Sequence, residues 1–136
     1  MAHIIVIEDN VQSGRLAVKL LRRAGHEVTL TTTGEEGLTS SLSAQPDLVL
    51  IDMGLPDLDG QTVMALLRQQ PQMANTALIA FTAWPEKSAQ DMATAYGCDG
   101  VIFKPIDTRV FVQQVDSILR SRSKASPPSP GEESNS

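Results

Sequence analysis

Five side chains of this 136-residue chain, drawn from four separate segments, could together handle a phosphoryl group. Glu8 and Asp9 follow the apolar run Ile4-Ile5-Val6-Ile7, and Asp52 follows Leu48-Val49-Leu50-Ile51. Thr82 follows Ala77-Leu78-Ile79-Ala80-Phe81, and Lys104-Pro105 follows Val101-Ile102-Phe103. If these groups meet, the three carboxylates repel. At about 5 Å and an effective dielectric of about 20, each pair costs roughly 3 kcal/mol. A pocket of that kind attracts a hard divalent cation. Mg²⁺ favours one or two protein carboxylates, with water and a phosphoryl oxygen completing its shell. Lys104 adds a fixed positive charge and Thr82 a neutral donor, which suits the oxygens of a transferring phosphoryl group. Asp52, central in the set, is the natural nucleophile and would form an acyl phosphate.

The apolar runs explain how such residues could meet. Continuous runs of this length predict strands buried on both faces, hence a parallel sheet. Chemistry in such sheets sits just beyond the carboxyl ends of the strands. Between the strands lie helical patterns. Val11 to Ala24 places Leu16, Leu20, Leu21 and Ala24 at helical spacing, with Arg22 and Arg23 in the last turn and Gly25 as a left-handed exit. Glu27 to Thr31 reads as a second strand, and Thr33-Gly34-Glu35-Glu36 as a capping box opening a Ser-rich second helix. Gln45-Pro46-Asp47 breaks the chain before the Leu48 strand. Gly60 to Gln70 carries Val63, Met64, Leu66 and Leu67 on one face. Pro85 starts a fourth helix that ends near Tyr96-Gly97. Asp107 caps a fifth, with Phe111, Val115, Ile118 and Leu119 as its buried stripe.

Five βα units with right-handed crossovers give an α/β, doubly wound, five-stranded parallel sheet in the order 2-1-3-4-5, a flavodoxin-like three-layer sandwich. Strands lie roughly 4.8 Å apart, so Asp9 and Asp52 end neighbours and Thr82 ends the next strand. Lys104 stands about 10 Å from Asp52 at the backbone, a gap that a lysine stem can bridge. The expected organisation is one domain over residues 1–122 and a Ser/Pro-rich disordered tail over 123–136, which lacks large apolar residues.

Composition removes several classes. No apolar stretch approaches membrane-spanning length and no signal-peptide pattern opens the chain, so the expected location is cytoplasmic. A net charge of −5 disfavours direct binding to nucleic acid. Cys98 is the only cysteine and reads as a small buried filler. His3 and His26 lack ligand spacing. Asp57 and Asp59 read as turn formers and a cap around Pro56-Gly60.

The segments Val-Ile-Glu-Asp-Asn, Leu-Ile-Asp-Met-Gly-Leu-Pro-Asp-Leu-Asp-Gly, Phe-Thr-Ala and Phe-Lys-Pro-Ile occur together in this order. In that combination the chain resembles the receiver domains of two-component response regulators, over residues 3 to 120. The resemblance implies a stand-alone response regulator of phosphorelay signalling. Asp52 would be the phospho-acceptor, served by a sensor histidine kinase or histidine phosphotransferase. Asp9 would bind Mg²⁺ directly and Glu8 through water, with Asp52 and the Gly54 carbonyl completing the protein's share. Thr82 and Lys104 would hold the phosphoryl group, and Pro105 would follow a cis peptide bond. Output would run through the face of the fourth helix, fifth strand and fifth helix to a downstream protein, a face that also allows a homodimer. The only reaction implied is the protein's own Mg²⁺-dependent phosphorylation and dephosphorylation.

Two positions depart from the family's pattern. Val101 stands where Tyr or Phe is common, three residues before the lysine, with Phe103 pointing to the same side by strand alternation. Gly54 and Trp84 occupy the variable positions that flank the phosphoryl site. Trp84 reads equally as a cover over the site and as a partner anchor. Three other readings compete. An aspartate-based phosphohydrolase places an acid two residues after its nucleophile, where this chain has Gly54. A phosphorylation-independent adaptor of the same fold would be signalled by a degraded acid pair or a missing lysine, and only Val101 favours it. A flavin or nucleotide binder would need a phosphate-cradling loop where Glu8-Asp9-Asn10 stands.

Overall fold

The computed structural model describes residues 2–125, with side chains through 122. Strand and helix alternate as β1 (His3–Ile7), α1 (Val11–Arg23), β2 (Glu27–Thr31), α2 (Gly34–Ala44), β3 (Leu48–Asp52) and α3 (Gly60–Arg68). A single 3-10 turn (Pro71–Met73) leads to β4 (Ala77–Thr82), α4 (Glu86–Tyr96), β5 (Gly100–Phe103) and α5 (Phe111–Ala125). The five strands form one parallel sheet in the order β2-β1-β3-β4-β5. The helix α5 runs to Ala125, past the expected domain boundary at residue 122, and the rest of the expected tail lies outside the described residues.

The apolar strands are explained by what covers them. Side chains alternate across a strand, so one uninterrupted run feeds two cores. Ile4, Val6, Leu48, Leu50, Ile79 and Phe81 face α1 and α5, where Leu21, Phe111 and Val115 meet them. Ile5, Ile7, Val49, Ile51, Leu78 and Ala80 face the other way, against Val63, Met64 and Leu67 of α3 and Met92 of α4. All residues of β3 and β4 are buried, as central strands between two helical layers must be.

Local chemistry sets the ends of the elements. Asn10 caps α1 by accepting from Ser13 N at 2.9 Å, and Gly25 leaves the helix at φ +96°. Thr33 caps α2 through Glu36 N at 3.1 Å. The returning Glu36 carboxylate reaches Thr32 rather than the cap's own amide. Pro85 is the N-cap of α4, one place ahead of a first-turn position. One turn separates Asp107 from α5, and its carboxylate accepts from Arg109 N at 3.0 Å.

Two residues differ from the sequence expectation. Asp59 occupies the N-cap of α3 but makes no side-chain cap bond. Asp57 caps a different helix: its two oxygens accept from Gly34 N (2.8 Å) and Glu35 N (3.0 Å), tying the loop after β3 to α2. Those two amide bonds hold the Asp57 carboxyl below its usual range. Gly60 marks a close approach, because a Cβ there would stand 2.7 Å from the carbonyl oxygen of Asp52. At the opposite edge of the sheet Arg68 and Asp99 pair at 2.5 Å. Asp99 also accepts from Leu78 N at 2.8 Å, which pins the start of β4 to the turn before β5.

Candidate active site

Register brings the strand ends together. Ile7 pairs with Ile51, Asp52 with Phe81 and Thr82 with Phe103. The residues just beyond those pairs therefore share one edge. A cavity of about 560 Å³ opens there, lined by Glu8, Asp9, Asp52, Gly54, Thr82, Trp84 and Lys104 among others. Every side chain singled out from the sequence for phosphoryl or metal chemistry lies in it.

Lys104 Nζ donates to Asp52 Oδ1 at 3.0 Å and lies 2.5 Å from Glu8 Oε1. The ammonium also stands 4.8 Å from the centre of the Phe81 ring, whose negative face attracts it. Phe81 is fully buried, so it acts as the floor under the lysine. The peptide bond between Lys104 and Pro105 is cis. Gly54 N also donates to Asp52 Oδ1, at 3.1 Å. Thr82 is buried, and its hydroxyl oxygen accepts from Trp84 N at 3.0 Å. Its own proton is thereby left to donate elsewhere.

The acids differ in character. Glu8 is 1% exposed, whereas Asp9 is open to solvent. Burial pushes the Glu8 carboxyl up to about 7, and its neighbour Asp52 pushes the same way against the pull of Lys104 and Asn10 N. Asp52 goes in the opposite direction. Burial raises it, but bonds from Glu8, Lys104 and Gly54 N together outweigh that and hold it below the usual aspartate range. Lys104 is held above its ordinary value because the two acids outweigh its desolvation. A protonated Glu8 beside an ionised Asp52 is the arrangement two crowded carboxyls adopt when no cation is near.

One oxygen each from Glu8, Asp9 and Asp52 lie within 4.8 Å of one another. A hard, all-oxygen donor set of this kind, partly open to water, fits Mg²⁺ better than a softer ion. Gly54 lines the same wall, and a Cβ there would meet nothing nearer than Asp52 Oδ1 at 3.9 Å. The sequence did not reveal the contact between Glu8 and Lys104, which are 96 positions apart. Only the strand order could have suggested it. Val101 is half-buried against the α3–α4 side of the sheet.

The sheet order, the acid-lined carboxyl edge and the lysine on a central aspartate define a doubly wound α/β protein with an acidic pocket at the ends of its central strands. Residues 4–116 match the response regulator receiver domain, and the chain belongs to that family. The polar-differentiation response regulator DivK of Brucella ovis is 30% identical over 116 residues, covering 85% of this chain and 94% of that protein. CheY4, a chemotaxis response regulator of Vibrio cholerae, has the same fold, with a TM-score of 0.82 at 22% identity over 87% of this chain and 98% of its own. A CheY-like receiver domain protein from Methanospirillum hungatei has a TM-score of 0.83 at 22% identity, over 91% and 98% of the two chains. Among the described residues no helix is long and apolar enough to cross a membrane.

Proposed function

We propose that this protein is a response regulator whose Asp52 accepts a phosphoryl group from a phosphohistidine of a sensor histidine kinase or histidine phosphotransferase. The modification then changes its contacts with a downstream protein. The observation that carries this reading is the Lys104 ammonium, bonded to Asp52 inside a cavity that also holds Glu8, Asp9 and Thr82. In the transfer, an Asp52 carboxylate oxygen bonds to phosphorus as the phosphorus–nitrogen bond breaks. The electron pair goes to the departing imidazole, which takes up a proton. Lys104 and Thr82 hold the phosphoryl oxygens while charge shifts between them. Glu8, Asp9, Asp52 and the Gly54 carbonyl are the groups that would hold Mg²⁺, which when bound supplies positive charge to the same oxygens.

Turnover of free phosphoesters is not part of this reading. A hydrolase of the aspartate type needs an acid to protonate its leaving group, and Gly54 stands at that place. The test is incubation with a small phosphodonor and Mg²⁺, followed by intact mass and location of the acyl phosphate. Label on a residue other than Asp52, or steady release of phosphate from unrelated esters, would refute the assignment.

The raised Glu8 carboxyl makes cation binding pH-dependent. Its proton competes with Mg²⁺, so affinity rises as pH climbs through about 7 and levels off above it. Without the cation the sign for stability is opposite. The Glu8 proton contributes fully below the unfolded value of 4.5 and is lost as pH rises through about 7. Trp84, the only tryptophan, lines the cavity and gives a fluorescence signal for the titration. A flat affinity from about pH 6 to about pH 8 would remove Glu8 from the cation's surroundings.

Trp84 flanks the reacting atoms opposite a residue without a side chain. Its ring limits the approach of water to phospho-Asp52. Trp84→Ala is expected to speed acyl-phosphate decay by about threefold or more, equal to ~0.6 kcal/mol of barrier. Unchanged decay in a time course of the labelled protein ends that idea.

A further inference from the structure

Arg15, Lys19, Arg22 and Arg23 form a cationic row on α1, and that helix contains no acid. Their spacing keeps all four on one face along about 12 Å of helix. Arg22 donates to Val28 O at 2.9 Å, which fastens it to β2. Arg15, Lys19 and Arg23 are exposed and take part in none of the hydrogen bonds or ion pairs among the described residues. Three unpaired cations side by side are unusual in a chain of net charge −5. They rim a depression of about 650 Å³ whose floor is Val18 and Leu30. The phosphoryl cavity, by contrast, takes only Val11 from α1, so the two places are separate.

We infer that this α1–β2 face docks an acidic amphipathic helical segment of a partner protein. The charge row matches a helix with acids at i and i+4, which has the same pitch. The apolar floor matches one protruding aliphatic side chain between those acids. Two other anionic occupants fit less well. Val18 is only 9% exposed and lies beneath the rim, out of reach of a flat bilayer. The overall negative charge also opposes approach to an anionic membrane or a nucleic acid.

The probe is a fluorescent helical peptide of about 18 residues with Glu at i and i+4 and one central Leu. It is titrated against the full chain without phosphodonor, so that failure here leaves phosphoryl acceptance at Asp52 standing. Salt-sensitive binding is expected, with amide shifts confined to α1 and β2. Arg15→Glu with Lys19→Glu weakens it at least tenfold, and Arg15→Gln with Lys19→Gln weakens it less. Replacing the central Leu by Ser also weakens it, while Lys87→Glu on α4 leaves it unchanged. The inference is overturned by absent binding, by equal binding to both paired variants, or by indifference to the Leu. Stronger binding of ATP or of phosphatidylserine vesicles to these residues overturns it as well.

Discussion

With a small phosphodonor and Mg²⁺, the wild-type protein gains one phosphoryl group and Asp52→Asn gains none. Asn keeps the shape of Asp and can still accept from Lys104 Nζ, now at 3.0 Å from Oδ1. It has no carboxylate electron pair with which to form a mixed anhydride, so the expected loss is complete. The fold survives, because the substitution removes one of three crowded acids and leaves Lys104 paired with Glu8. Circular dichroism and a thermal melt establish that the variant is folded. Intact-mass spectrometry then reads the label. A labelled Asp52→Asn protein would move the acceptor elsewhere and remove the central role given to this strand end.

Phe81→Ala is expected to cost about 3–5 kcal/mol of stability and to slow labelling in whatever protein remains folded. The ring is fully buried and packs on Phe111 at 6.4 Å between centroids. Its loss leaves a cavity between β4 and α5 that the fully buried neighbours Ile79 and Val115 cannot collapse to fill. The same ring lies under the Lys104 ammonium. Its removal therefore loosens the cation proposed to hold the phosphoryl oxygens, although no bond to Asp52 is deleted. Urea unfolding gives the stability, and initial labelling rates below the midpoint give the second effect. A loss under about 1 kcal/mol with an unchanged labelling rate would mean that this packing carries neither burden.

Much of this arrangement was legible in the sequence because it depends on short-range signals. Uninterrupted apolar runs identified the strands, and helical spacing with the capping box at Thr33 identified the helices between them. The order of units then fixed which strand ends are neighbours. That was enough to gather Glu8, Asp9, Asp52, Thr82 and Lys104 at one edge. The pairings that depend on exact distances were not legible. Nothing near Asp57 shows that its oxygens serve amides of α2, because a carboxylate in a turn beside Pro56 has a local explanation already. Arg68 likewise gives no sign that it meets Asp99, 31 positions later. Glu8 looked like one acid of a pair, yet it is buried against Lys104 while Asp9 faces solvent, and that burial pushes its carboxyl up to about 7.

The bond from Trp84 N to Thr82 Oγ1 spans the last residue of β4 and the loop that opens α4. A rotation that turns this hydroxyl toward an incoming phosphoryl group must either drop the Trp84 amide or drag it along. In both cases the entrance to α4 is disturbed by the chemistry at Asp52. Signal could then leave the reaction centre as a tug on the main chain, with no aromatic piston required at Val101.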